Sequence, residues 1–197
     1  MNLQEHFLTQ ALKEESLENK TIKVDHLTSK VYVDGIERCL TFPKSMLDYC
    51  LSQWSERTQD YYFKGRVSKV RGWLRKYPNI YRSNRGRLVT KKFDLDLEYY
   101  QELGRTKFGL SPTNECPWSY RFFESIMCGA IPVLGDKDFD FNTELGFKFY
   151  RHSDVKIYKS EWAEHNLRLL IKNCIIKPKK YNGKFNKNTT RFSEAVS

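Results

Sequence analysis

The sequence predicts an α/β protein: a Rossmann-like parallel sheet flanked by helices over residues 56–177, preceded by a short helix and hairpin extension over 1–55 and followed by a basic tail over 178–197. Three observations lead there. From Asp60 onward, apolar strands of four to six residues alternate with amphipathic helices of about ten, the rhythm of a parallel sheet with helical crossovers. The segment 130–135 (AIPVLG) is apolar throughout, as a strand buried on both faces must be. Aromatic residues reach 15% of the chain, which excludes a disordered polypeptide.

In the extension, Leu3, Phe7, Leu8, Ala11 and Leu12 recur at helical spacing, so residues 2–18 read as an amphipathic helix. Residues 21–27 alternate apolar and polar, and 31–36 (VYVDGI) read as a hairpin turning on Asp34-Gly35. Ser45 then reads as the cap of a helix carrying Met46, Leu47, Cys50, Leu51 and Trp54. The α/β part opens with a strand over 60–66 (DYYFKGR) and a helix over 68–77 stopped by Pro78. A helix over 95–104 with Asp94 as its cap leads to a strand over 107–111 (KFGLS). After a turn over 112–118 comes a helix over 119–128, closed by Gly129. The strand 130–135, a second over 147–150 and a long amphipathic helix over 160–175 complete the pattern.

The net charge of +10 favours a phosphate-bearing partner, and it is unevenly spread. Residues 64–92 hold eleven Lys and Arg and no acid, and the chain after Ile176 adds six against one Glu. That tail, rich in Asn, Lys and Gly, is expected to be disordered. No run approaches the ~18 uninterrupted apolar residues of a membrane span. The first residues lack the basic and apolar regions of a signal peptide, so the expected location is cytoplasmic. Five cysteines (Cys39, Cys50, Cys116, Cys128 and Cys174) form no CxxC pair and are expected to be reduced. The histidines His6, His26, His152 and His165 are scattered, so neither a metal site nor a Cys–His nucleophile is assembled locally.

Ligands of open parallel sheets bind beyond the carboxyl ends of the strands, where helices begin. The densest candidate is 108–136, whose strand ends at Ser111 and whose next helix starts at Ser119. Free amides and the helix dipole over Ser119, Tyr120 and Arg121 suit a diphosphate. Glu124 lies about 7.5 Å further along the axis, the distance from a diphosphate to its ribose. A carboxylate there can accept both ribose hydroxyls, but the pattern by itself favours a solvated carboxylate on an exposed helix face.

The stretch 100–136 (YQELGRTKFGLSPTNECPWSYRFFESIMCGAIPVLGD) resembles the nucleotide-sugar-binding half of exostosin-like glycosyltransferases. The resemblance is carried by Lys107, Phe108, Leu110, Pro112, Ser119, Arg121, Glu124, Gly129, Pro132 and Val133. Upstream, Tyr62-Phe63-Lys64-Gly65-Arg66 followed by Arg71 is similar to that family's Phe-x-Gly segment with its trailing arginine, so the likeness spans roughly 58–175. The Pro-Val-Leu-Gly run also resembles α1,3-fucosyltransferases, which use GDP-fucose.

The resemblance implies a single GT-B-type half-domain that moves a sugar from a UDP- or GDP-linked donor to a glycan or other hydroxyl acceptor, without a metal cofactor. It implies that Glu124 grips the ribose, and that Ser119, Tyr120, Arg121, Arg66 and Arg71 hold the diphosphate. The 55 residues ahead of the matched region are too few for a second doubly wound domain. A homodimer or partner subunit is therefore expected to supply the acceptor side. Asp25, His26 and Asp34 are candidates for the general base by location alone. Asp94-Leu-Asp96 has the metal-binding DxD form but precedes a helix, where Asp is an ordinary cap. Asp136, Asp138 and Asp140 fall at the carboxyl edge, either touching sugar or acceptor or forming a plain turn. A non-catalytic remnant of a donor domain is one alternative. A nucleic-acid-binding protein, using Trp73, Tyr77 and Tyr81 among the basic residues, is another, although no RNA-binding signature is present.

Overall fold

A computed structural model describes residues 3–17, 19–25, 30–38, 40–82, 95–113, 119–138 and 145–175. His26, Cys39, Asp94, Cys116, Pro117, Asp140, the whole of the basic stretch beyond Arg82 and the tail lie outside the described residues.

The extension is a helix, α1 (Leu3–Glu14), on a three-stranded antiparallel sheet of β1 (Ile22–Asp25), β2 (Lys30–Val33) and β3 (Ile36–Arg38), in that order. The hairpin turns on Asp34 and Gly35 as the sequence indicates, both at positive φ. Leu8, Ala11, Leu12, Val31 and Val33 make its small core.

The α/β part has a five-stranded parallel sheet. Its strands are β4 (Gln59–Gly65), β5 (Ile80–Arg82), β6 (Thr106–Leu110), β7 (Ile131–Leu134) and β8 (Tyr150–Arg151), in the order β5-β4-β6-β7-β8. One face carries α2 (Lys44–Ser52), α3 (Leu97–Gly104), α4 (Tyr120–Met127) and α5 (Ser160–Cys174) around Tyr62, Leu103, Phe122, Phe123 and Leu170. α2, within the segment that the sequence sets apart as extension, buries Met46, Leu47 and Cys50 in this layer. The other face buries Phe63, Phe108, Leu110, Ile131 and Val133 under Leu74, Trp73 and Tyr77, with Tyr158 and Trp162 at the entry to α5. β7 is buried at every position, as its apolar run requires. α4 approaches β6 so closely that a Cβ on Gly109 would lie 2.0 Å from the Ser125 hydroxyl oxygen, which only glycine avoids.

Several local expectations are corrected. The crossover over 68–77 is a 3-10 helix, Lys69–Lys76, kinked at Arg71, and the strand β5 follows it. Gly72 and Pro78 leave too short a helix-competent stretch for regular α-helical turns. α3 is capped by Asp96 rather than Asp94: its carboxylate accepts the Tyr99 amide at 3.2 Å. Ser45 lies inside α2, not at its cap. Pro43 is the N-cap residue, and Glu14 of α1 takes the Ser45 amide at 3.1 Å and also its hydroxyl. The strand expected over 147–150 is displaced toward the C-terminus, to the two residues Tyr150–Arg151. Cys50, Cys128 and Cys174 are buried free thiols.

Candidate functional site

At the carboxyl edge of the sheet, β4 ends at Gly65, β6 at Leu110, β7 at Leu134 and β8 at Arg151, and α4 begins beside them. Ser119 caps α4, its hydroxyl accepting the Arg121 amide at 3.3 Å. Two motif elements far apart in sequence meet here. The Arg121 guanidinium lies 4.9 Å from the centre of the Phe63 ring, and its Nη2 donates to the Lys64 carbonyl at 3.0 Å. A Cβ on Gly65 would sit 2.3 Å from that Nη2 and the backbone there has φ +155°, so a side chain at Gly65 would be strained and would also displace the guanidinium from its seat. Arg121 is 8% exposed in this seat.

Arg66 follows with an exposed side chain that has no ion-pair partner among the described residues. Arg71 spans the gap to the next strand, its Nε donating to the Thr113 carbonyl at 3.2 Å and its Nη1 to the Arg66 carbonyl at 2.9 Å. Its guanidinium therefore ties the loops after β4 and β6 together and holds the kink in the 3-10 helix.

Tyr120 points away from the sheet edge. Its ring packs edge-on against Phe7 of α1 at 5.7 Å and Phe42 at 6.2 Å. Glu124 is fully buried, its two carboxylate oxygens taking the hydroxyls of Tyr99 and Tyr100, each at 3.1 Å. The solvated helix-face reading of Glu124 is thereby excluded. The structure thus gathers Arg66, Arg71, Ser119 and Arg121 at the edge and places Tyr120 and Glu124 in the helical layer.

The acidic motifs resolve into supports. One oxygen of Asp96 caps α3 while the other pairs with the Lys64 ammonium at 2.6 Å, and Glu98 adds a second partner at 3.1 Å. Burial lowers the Lys64 affinity for its proton, but the bonds to Asp96 and Glu98 outweigh it and leave the pKa raised. Asp138 accepts the Gly135 amide at 2.7 Å and the Thr113 hydroxyl at 2.7 Å, so it fastens the loop after β7 to the loop after β6 as a turn residue. Asp136 accepts the Ser153 amide at 2.8 Å, which lowers its pKa. Among the described residues no group of three or more His, Cys, Asp or Glu is placed to hold a metal ion. No helix among them is long and apolar enough to cross a membrane.

The sequence reading missed the far end of this edge. Arg151 donates to the carbonyls of Gly135 at 3.0 Å and Asp138 at 2.6 Å. Next to it, His152 meets the Tyr77 hydroxyl at 2.8 Å through Nδ1, with the Trp73 ring 5.3 Å away. The available signal was position: His152 stands two residues after the strand expected over 147–150, where a parallel sheet presents ligand-facing residues.

No protein-family model matches the chain, and no curated protein matches it. The parallel order, the helical layer and the loops gathered at one edge are those of a Rossmann-like scaffold, consistent with nucleotide binding in general.

Proposed function

We propose that the chain is the donor-binding half of a glycosyltransferase, which transfers a sugar from a nucleoside diphosphate to a hydroxyl acceptor. The observation that supports it best is the seat of Arg121 on Phe63, Lys64 and Gly65, which brings the two halves of the exostosin-like pattern into contact. In this reading Arg66 and the first turn of α4 face the diphosphate, while Arg71 and Arg121 hold the loops that present them. The bond from the anomeric carbon to the diphosphate breaks with its electron pair on the leaving group, and fixed cations there lower the barrier as well as bind. For Glu124 to take the ribose hydroxyls in this reading, the buried Tyr99 and Tyr100 rings whose hydroxyls fill its two oxygens must turn aside.

The test is calorimetry with UDP, GDP and their common sugar conjugates on the wild type and Glu124→Gln. We expect one diphosphate to bind and the variant to bind it about tenfold more weakly, a change of about 1.4 kcal/mol. Unchanged affinity removes the ribose role. Binding of single-stranded RNA alone, lost in high salt, overturns the transferase reading.

A further inference from the structure

We propose that His152 is the general base of the transfer reaction, with Tyr77 as its positioning residue; the assignment rests on the donor-binding reading. The location follows from the loops along the carboxyl edge. Arg121 touches the end of β4, Arg71 links that end to Thr113 after β6, Asp138 links Thr113 to Gly135 after β7, and Arg151 links Gly135 to the end of β8, where His152 begins. From β6, whose loop leads into α4, to β8 is two strand spacings, about 10 Å. A diphosphate-linked anomeric carbon with an attacking hydroxyl in line behind it fills that span.

The imidazole is held as a base must be held. Trp73 lies beside one side of the ring at 5.3 Å, and the Tyr77 ring packs edge-on at 5.4 Å. Lys156 donates to the His152 carbonyl at 2.7 Å and fixes the backbone. With its hydrogen on Nδ1, the ring donates to the Tyr77 oxygen at 2.8 Å, and the phenol hydrogen turns to the His152 carbonyl oxygen at 3.4 Å. Nε2 then keeps its lone pair, and it has no hydrogen-bond partner among the described residues. This is the arrangement of a base oriented by a second group.

Burial, more than the surrounding charges, favours the neutral ring. Burial lowers the His152 pKa first, and Lys76 from the 3-10 helix and Lys156 from the loop after β8 lower it further, against Asp136 from the loop after β7. Tyr77 itself is pushed up to about 12, mainly by burial, and so stays a phenol. In the reaction the acceptor oxygen forms its bond to the anomeric carbon as the bond to the diphosphate breaks. The hydroxyl proton passes to Nε2, and the imidazolium then releases it to water.

The experiment uses the whole chain with water as acceptor. Release of UDP from UDP-glucose and UDP-N-acetylglucosamine, and of GDP from GDP-fucose, is followed against pH, with nucleotide affinity measured in parallel. We expect the wild-type rate to rise through an ionisation below the ordinary imidazole value of about 6.5. His152→Gln should lose that limb and about 10²–10⁴ in rate while binding nucleotide as the wild type does. Tyr77→Phe, which keeps the ring but not the hydroxyl, should displace the limb, an effect that simple loss of packing does not produce.

A His152→Gln protein that retains the limb, or a Tyr77→Phe protein whose limb does not move, overturns the assignment. So does a wild type that binds nucleotide and releases none from any conjugate, since water has free access to a half-exposed base. Failure of every nucleotide to bind is a different result: it removes the donor-binding reading itself, and this assignment with it.

Discussion

Arg121 carries a charge into a site that is 8% exposed, which is costly unless the guanidinium is bonded and faced by polarisable surface. The Lys64 carbonyl and the Phe63 ring supply part of that environment, and the missing side chain of Gly65 supplies the space. Gly65→Ala should therefore push the guanidinium off its seat and cost about 1–3 kcal/mol in chemical denaturation, the usual range for overpacking. In an Arg121→Ala background the clash is removed and only the strain of alanine at φ +155° remains, so a coupling of about 0.5–3 kcal/mol is expected between the two positions. Additive effects would show that the two do not share the space. The residues of this contact were legible in the sequence as two motif fragments. Their contact was not, because it depends on β4 and α4 meeting across more than fifty positions. His152 shows the same limit, since a histidine reads as scattered until a fold gives it neighbours. Its depressed pKa has a sign that stability measurements detect. Between its folded value and about 6.5 the unfolded chain binds the extra proton, so this contribution is present above that window and fades as the pH falls through it. His152→Gln should flatten the dependence of Tm on pH over that interval; an unchanged slope would place the neutral imidazole in doubt.

At the level of elements, strands and helices followed from apolar periodicity, whereas their ends followed from bonds that periodicity does not contain. Asp94 and Asp96 are equivalent as cap candidates by residue type; Asp96 caps α3 because its second oxygen also meets Lys64 from β4. α2 has no cap of its own, and the carboxylate of Glu14 reaches it from another helix. β5 was invisible because its three residues, Ile80–Arg82, lie in a basic stretch whose composition suggested a phosphate-binding or nucleic-acid surface. Asp96→Ala should cost about 1–2 kcal/mol, the ordinary value of a lost cap. Asp96→Asn keeps a capping oxygen and loses only the charge toward Lys64, which Glu98 still faces, so its cost in the same denaturation series should be smaller. Equal losses in the two variants would mean that the ion pair, not the cap, dominates at this helix start.

Across the whole molecule, the α/β alternation was readable because a parallel sheet writes itself into the chain as buried runs and amphipathic crossovers. What the alternation could not show is how the N-terminal unit attaches. The apolar stripe of α1 serves two cores: Leu8, Ala11 and Leu12 bury into the antiparallel sheet, while Phe7 belongs to the helical layer of the parallel one. There Phe7 packs at 5.7 Å from both Phe42 and Tyr120, so it joins the extension to the first residue of α4. Phe7→Ala should then lower stability by about 3–5 kcal/mol through the lost packing and the cavity left behind. In a chain of this length that corresponds to a fall in Tm of roughly 6–20 °C. Leu8→Ala removes a side chain of the small core alone, and its effect should concentrate in amide exchange of β1, β2 and β3. Phe7→Ala should instead accelerate exchange in α4 as well, because the Tyr120 ring loses its edge-on neighbour. If α4 keeps its wild-type protection in Phe7→Ala while β1–β3 lose theirs, α1 is packed on the extension alone, and the start of α4 is held by the α/β layer without its help.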